Sequence, residues 1–445
     1  MNPEIINKYS APVPRYTSYP TAPHFTPDVG AASYAKWLSA LPEHTDLSLY
    51  MHIPFCHALC WYCGCCTKAV QRYEPVAAYV ASLQKEIESV ASRITKPHAV
   101  KHIHWGGGSP NALSPDDILL LNTLLRGNFQ VSDTAEFAVE IDPRVLSREQ
   151  VVAFALAGVT RVSLGVQDFD PAVQAAINRE QSYETTQRAV EQFRELGINA
   201  INIDLVYGLP HQTRESVQET IRQVLKLQPD RIAIFGYAHL PSRFKNQTRI
   251  DDAALPDAIE RFAQSSRLAR ILETAGYVRI GLDHFARADD PLAQGQVNRN
   301  FQGYTTDSAS SLIGLGASAI GRLPEGYVQN EPSAAGYARR IESDGLATVR
   351  GRALSEDDRI RGFAIERLMC DMTFPADEIS RRFGSAAESV VEEAEALIEM
   401  DPDALIERTS DGFRLTPRGR PFVRSIAACF DIYLDQGAAL HSKGA

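Results

Sequence analysis

The chain has 445 residues, 44% of them hydrophobic, which is enough for a large core and for two or three domains. With 45 basic against 55 acidic residues it carries a formal charge of −10, which argues against nucleic acid or any other general polyanion as a partner unless a local patch reverses the field. No apolar run approaches the ~18 residues that cross a bilayer, and seven cysteines are too sparse for a disulfide scaffold. The first residues lack a basic region followed by an apolar one, so a secretory leader is not expected and a cytoplasmic location is. Residues 1–46, rich in Pro, Tyr and Ser, read as an irregular N-terminal arm laid over the active site. Runs with β-branched and aromatic bias then predict six strands, at Leu47–Ile53, His102–Trp105, Phe137–Ile141, Arg161–Val166, Ile201–Val206 and Arg231–Tyr237. Helical spacing fills the gaps, clearest in the stripe Val76, Tyr79, Val80, Leu83, Ile87 and Val90, with start signals at Ser114 and at Ser147 to Gln150. Six strand–helix alternations imply an α/β fold of parallel strands, open or closed into a barrel, with ligands at the carboxyl ends of the strands. The barrel and its extension are expected over 47–350. Residues 351–445 read as a smaller α+β, mostly helical domain, with a helix cap at Ser355 to Asp358, a hairpin turning at Asp411-Gly412 and a last helix after Pro417. A winged helix with Arg418, Arg420 and Arg424 as its basic face is the rival reading, and a capping domain is preferred because that cluster is short and the chain is acidic.

Five of the seven cysteines fall between positions 56 and 66. Cys56, Cys60 and Cys63 are spaced to hold three corners of a 4Fe-4S cluster, leaving one iron open to a small molecule. Two separated ligand pairs for zinc, or two cysteines opening a helix for redox exchange, are not found there. Cys65 and Cys66 are set aside as ligands, since a residue so close to Cys63 would strain the loop. Each strand is followed by polar or glycine residues. They are Gly106 to Ser109, Glu140 with Asp142, Gln167 and Asp168 with Arg179 downstream, Asp204, and Tyr237 to His239. Such a ring suits a large polar cofactor. Three other features carry less. Gly314 to Ala319 matches a dinucleotide turn without its acidic partner, and is expected to be a tight turn near the site. His102 and His104 share a strand face and are expected to be packed rather than metal-bound. Asn246-Gln247-Thr248 is a glycosylation sequon without meaning outside a secreted protein.

The cysteine loop HIPFCHALCWYCGC at 52–65, with PRYTSYPT at 14–21, EIDPR at 140–144, GVQDF at 165–169, NREQ at 178–181, NIDLVYGLP at 202–210, YAHLP at 237–241, DHFAR at 283–287 and NFQGYT at 300–305, resembles one family over nearly the whole chain. It is that of the radical S-adenosylmethionine enzymes, and more narrowly the oxygen-independent coproporphyrinogen III oxidases (dehydrogenases) of haem biosynthesis. The resemblance implies a partial (β/α)6 TIM-like barrel and an oxidoreductase. Its reaction would be the oxidative decarboxylation of two propionates of coproporphyrinogen III, giving protoporphyrinogen IX, by way of a 5'-deoxyadenosyl radical. It implies that Cys56, Cys60 and Cys63 ligate the cluster. It implies further that Tyr50, Gly108, Ser109, Glu140, Gln167, Arg179, Asp204 and Ala238 line a first S-adenosylmethionine and that Gln302 and Ile320 lie near a second. The alternatives are a haem-ring-opening methyltransferase, which should lack the PRYTSYP arm, and a haem chaperone, whose late His/Trp motif has no match where the only tryptophans are Trp37, Trp61 and Trp105. Ser109 stands where the family often has threonine, and Cys66 is an extra thiol. The expected partners are a tetrapyrrole and an unidentified electron donor, with the chain acting as a monomer. An acidic chain holding a substrate with four carboxylates must focus positive charge locally, so Arg15, Arg287 and Arg299 are the candidate substrate cations.

Overall fold

The computed structural model describes residues 2–434. The six expected strands are β1 (Leu47–Ile53), β2 (Ala99–Gly107), β3 (Gln130–Ile141), β4 (Arg161–Gln167), β5 (Ala200–Tyr207) and β6 (Arg231–Gly236), paired in parallel in that order. Helices Glu74–Ala91, Pro115–Asn128, Arg148–Leu156, Tyr183–Glu195, Arg214–Lys226 and Ala258–Thr274 follow them in turn. The caps are those the sequence signals: Ser114 Oγ accepts from the Asp117 N–H, and Ser147 and Gln150 form a reciprocal capping box.

Parallel strands covered on both faces read as continuous apolar runs, but these alternate. Leu49, Met51, Ile53, Ile103, Trp105, Phe137, Val139, Ile141, Val162, Leu164 and Val166 are each at most 3% exposed and join the core beneath the helices. The intervening positions, among them Ser48, His102, His104, Glu136, Glu140, Ser163, Asn202 and Asp204, line a cavity on the other face. The apolar core therefore lies outside the barrel wall, and the lumen is polar and open. This is the reverse of a closed eight-stranded barrel, whose lumen is filled by branched side chains.

The barrel is partial because its sheet runs on past both ends. Beyond β6 lie β7 (Tyr277–Ile280) and β8 (His284–Arg287), and beyond β1 lie β9 (Ser311–Leu315), β10 (Ile320–Leu323), β11 (Gly326–Asn330) and β12 (Thr348–Ala353). The order is β12-β11-β10-β9-β1-β2-β3-β4-β5-β6-β8-β7. β9 is a seventh parallel strand that the sequence does not reveal. All five of its residues are buried and one is Gly314, so neither alternation nor length marks it.

The second domain opens with helix Glu356–Asp371, capped by Ser355 and Asp358. Strands Thr373–Pro375, Ile406–Thr409 and Gly412–Leu415 form a small antiparallel sheet that contains the expected hairpin. The arm is not irregular throughout: Pro3–Lys8, capped by Asn2, and Ala31–Ser39 are helical. Ile5, Ile6, Val13, Tyr16 and Tyr19 belong to the same core as Leu368, Phe374, Phe413, Phe422 and Phe430, whereas Val29, Tyr34, Leu38 and Leu41 belong to the barrel core. The first part of the arm is thus structurally a piece of the second domain. The basic face of a winged helix does not form, because Arg420 and Arg424 turn inward to the carbonyls of Gly281 and Pro14 and leave Arg418 exposed. Among the described residues no helix is long and apolar enough to cross a membrane.

Candidate active site

The cysteine loop follows β1 on the carboxyl rim, and Cys56, Cys60 and Cys63 open on one cavity of about 560 Å³. That volume lies in the range of cofactor sites. Cys56 Sγ lies 3.2 Å from Thr67 Oγ1, and burial pushes its thiol up to about 11. Cys60 Sγ accepts from Arg179 Nη1 at 3.5 Å and from Arg144 Nη2 at 3.6 Å, so two guanidiniums face the position where a thiolate would form. The hydrogen bond from Cys65 lowers Cys63 to about 7 against the opposing effect of burial. Cys65 also lines the cavity, whereas Cys66 Sγ donates to the Pro332 carbonyl at 3.6 Å. Among the described residues no three His, Cys, Asp or Glu side chains converge as a single ion requires. Three thiols spread around one loop, with cations opposite, fit the corners of a larger iron–sulfur cluster.

Distant residues hold the shape of this loop. Asn246 Nδ2 donates to the carbonyls of Cys60, Trp61 and Cys63 at 3.2, 3.0 and 2.8 Å, and Gln247 Nε2 donates to Tyr62 and Ala238 at 2.9 and 3.1 Å. Asn178 Nδ2 holds the Leu59 carbonyl at 3.0 Å. The dipeptide dismissed as an idle sequon therefore caps the cysteine loop. Arg144 was likewise missed, although it stands in the EIDPR segment.

Most residues after the other strands converge on the same cavity, with Gly107, Gly108, Glu140, Gln167, Arg179, Asp204 and Ala238 lining it, whereas Asp168 is buried on Gln212 and Thr220 and His239 pairs with Asp252. The glycines are demanded by the chain itself. Gly107 has φ +113 and a Cβ there would stand 2.6 Å from the His52 ring, while one on Gly108 would stand 2.5 Å from the Phe55 carbonyl. Glu140 Oε1 lies 3.0 Å from His104 Nε2 and Oε2 accepts from the Gly107 N–H at 3.2 Å. Burial opposes its charge, but these bonds hold Glu140 below the usual carboxylate range. Asp204 accepts from Ser163 Oγ at 2.7 Å and Asn202 Nδ2 at 2.8 Å, and burial raises it above that range.

Tyr50 and Ser109 stand behind the wall rather than in it. Tyr50 Oη donates to His52 Nδ1 and His52 Nε2 donates to the Cys66 carbonyl, each at 2.9 Å, and burial lowers His52 below the ordinary histidine value. Ser109 bonds Asn111 and accepts from the Asp142 N–H, tying β3 to the glycine turn. His102 and His104 share a face as expected, but they are half-buried cavity residues and not packed ones, with His104 on Glu140 and His102 Nε2 3.7 Å from Asp307.

A lower cavity of about 290 Å³ shares Glu140 and Asp204 with the first and is lined by Gln302, while Ile320 on β10 is not among its lining residues. Gly314 to Ala319 is β9 running into a turn, where Gly316 has φ +96 and its N–H reaches Glu86. Arg15 and Arg299 meet at the rim, with Arg299 Nη2 donating to the Arg15 carbonyl at 3.2 Å. Arg287 does not join them. β8 is antiparallel to β6, so its end returns to the strand-start side of the barrel, where Arg287 N bonds the Asp230 carbonyl and its exposed side chain pairs with Asp289.

Residues 50–224 match the radical SAM superfamily and residues 354–422 match the HemN C-terminal domain. The chain is 49% identical over 435 residues, 97% of both chains, to the oxygen-independent coproporphyrinogen III oxidase of Bradyrhizobium diazoefficiens. It is 44% identical to that of Paracoccus denitrificans, over 99% of this chain and 98% of the relative. The solved structure of coproporphyrinogen III oxidase (HemN) from Escherichia coli, described as a radical SAM enzyme, superposes with a TM-score of 0.90 at 39% identity, covering 94% of this chain and 98% of that one.

Proposed function

The chain belongs to the oxygen-independent coproporphyrinogen III oxidase family within the radical SAM superfamily, and from that premise we propose that it decarboxylates two propionates of coproporphyrinogen III to the vinyls of protoporphyrinogen IX. For each vinyl formed, a β-hydrogen, carbon dioxide and one further electron leave the propionate, so the reaction needs a hydrogen-atom acceptor and an electron acceptor but no oxygen. When bound, a 4Fe-4S cluster and S-adenosylmethionine supply the one-electron chemistry that removes the hydrogen. The observation that carries the reading is the single cavity on which three cysteines, Glu140, Gln167, Arg179 and Asp204 all open.

The roles of the chain's own groups follow from their positions. Cys56, Cys60 and Cys63 hold the cluster, and Arg144 and Arg179 offset the negative charge of thiolates at Cys60. Gly108, Glu140, Gln167, Asp204 and Ala238 bind S-adenosylmethionine, with Glu140 and Asp204 offering acceptors to its ammonium and hydroxyl groups. Tyr50 and Ser109 act as positioning residues, through His52 and Asn111. A second S-adenosylmethionine is proposed for the lower cavity, near Gln302. Ile320 does not line that cavity and has no part in this second site. The arm closes the site, since Val13, Pro14 and Arg15 form part of the cavity wall. Arg15 and Arg299 are the proposed substrate cations. An external one-electron donor and a monomeric, cytoplasmic enzyme complete the proposal.

Anaerobic reconstitution tests this reading directly. The holoenzyme should carry four irons on the cysteine triad and convert coproporphyrinogen III to protoporphyrinogen IX only when S-adenosylmethionine and a reductant are present. Methyl transfer to a haem without vinyl formation would favour the ring-opening alternative.

A further inference from the structure

Beside the cysteine-rimmed cavity lies a second, smaller one of about 70 Å³, at the seam between the barrel edge, the arm and the second domain. Arg15, Gly236 and Tyr237 are common to both walls. The small cavity is lined by Arg15, Arg261, Arg279, Arg299 and Arg424, and among the described residues its single carboxylate is Asp283. Asp283 is already engaged with His284 Nδ1 at 2.8 Å.

All five of these arginines give hydrogen bonds to backbone carbonyls, Arg424 to Pro14 at 2.9 Å. Arg15 donates to Gly236 at 2.6 Å, Arg261 to Tyr237 at 2.9 Å, Arg279 to Leu282 at 2.9 Å and Arg299 to Arg15 at 3.2 Å. Arg299 is 8% exposed, yet among the described residues its Nε and Nη1 have no hydrogen-bond partner, and neither has the buried Nε of Arg261. Burial lowers Arg261 and Arg279 from the ordinary arginine value, whereas Arg299, equally enclosed, is held above it by Tyr304 and Asp283. Five buried or half-buried guanidiniums against one carboxylate leave an excess of positive charge around one small space, and a carboxylate or phosphate is the group that offsets it. The volume admits one such group and excludes a macrocycle.

Building on the proposed function, we propose that this cavity is a carboxylate receptor, in which Arg261, Arg279 and Arg299 take one propionate of the bound tetrapyrrole while its ring lies in the larger cavity beyond Arg15. A propionate seated there is held away from the cysteine rim. The receptor therefore grips a side chain that is not reacting and orients the one that is. The same chemistry could be satisfied by a free anion such as inorganic phosphate, and the test separates the two sources.

Anaerobic holoenzyme is titrated with coproporphyrin III, the non-reacting oxidised analogue, and with its tetramethyl ester. The proteins are wild type, Arg261→Gln, Arg279→Gln and Arg279→Lys, and S-adenosylmethionine affinity and Tm are measured on each. Losing one half-buried charged hydrogen bond to a carboxylate should weaken coproporphyrin III on the order of tenfold in each Gln variant. Arg279→Lys should lose less, and ester and S-adenosylmethionine binding should not change. Should either Gln variant prove unstable, the other carries the same reading. Unchanged coproporphyrin III affinity in folded Gln variants would overturn the proposal. If inorganic phosphate also raises Tm in wild type but not in those variants, the cavity holds a free anion instead. A wild-type holoenzyme that binds coproporphyrin III by these arginines yet forms no vinyl groups would sink the proposed reaction and leave the receptor standing.

Discussion

Asn246→Ala should release the cysteine loop without touching a sulfur. One amide nitrogen, with two hydrogens, spans three carbonyls between 2.8 and 3.2 Å, so the variant removes two good hydrogen bonds and a shared third. At about 1 kcal/mol per bond in a half-buried setting, the loop loses ~2 kcal/mol of support. If that loss falls on the cluster-holding conformation, occupancy weakens about thirtyfold, since 1.4 kcal/mol is a factor of ten. The assay is iron per chain after anaerobic reconstitution, followed by the rate of iron loss to a chelator. The barrel core lies elsewhere, so the apoprotein should keep its Tm within a few degrees. Asn246→Asp should be worse than Ala, because it points an acceptor at three acceptors. Wild-type iron content and release rate in both variants would refute the reasoning and leave the loop to be shaped by its own sequence.

Alanine at Cys56, Cys60 or Cys63 should each abolish the four-iron cluster, whereas alanine at Cys65, Cys66, Cys370 or Cys429 should not; cluster loss at Cys66 but not at Cys63 would count against the assignment. Glu140→Ala should weaken S-adenosylmethionine in equilibrium binding and leave coproporphyrin III alone, because a carboxylate repels an acidic substrate; the opposite split would reassign Glu140 to the tetrapyrrole. Glu86 accepts from Tyr337 Oη, Gly316 N and Asn330 Nδ2, and burial raises it from 4.5 to about 7. A carboxyl raised in the folded state binds its proton more tightly there, so its contribution is full below 4.5 and is lost as pH rises towards 7, a change of ~3 kcal/mol. Tm measured across that window should fall less steeply in Glu86→Gln, and an identical slope would remove Glu86 from the account. Arg15→Gln should lower decarboxylation while cluster and S-adenosylmethionine binding persist; it is a cleaner test than deleting residues 1–25, which would strip Ile5, Ile6, Val13, Tyr16 and Tyr19 from the second core. Full activity in Arg15→Gln would reduce the arm to packing.

What could be read in the sequence is what repeats over short distances. The six strands announce themselves because an apolar residue recurs at every second position, and the thiols because three lie within eight residues. β9 escaped because a five-residue, fully buried strand has no polar face to alternate with. Asn246 escaped because its partner Cys63 is 183 residues away, and nothing local distinguishes a capping asparagine from a surface one. Arg287 misled for a related reason: its motif was identified correctly, but the antiparallel course of β8, invisible in the motif, carries it to the far end of the barrel. Residue type survives such long-range placement, whereas direction does not.

The charge problem shows the same limit most sharply. A formal −10 spread over 445 residues says that an acidic ligand must meet a local reversal, and it says nothing of where. The reversal is assembled from positions 15, 261, 279, 299 and 424, which come from the arm, the helix after β6, β7, the loop strand before β9 and the second domain. No window of sequence contains two of them within ten residues, so no basic patch can be seen before folding. Placing the cations on separate elements has a physical consequence. The mutual repulsion of five guanidiniums is a cost the docked arm and second domain bear together, and an anion in the cavity relieves it. In the proposed receptor, the tetrapyrrole's own carboxylate is the group suited to relieve that repulsion, and its binding should stabilise the seam that covers it.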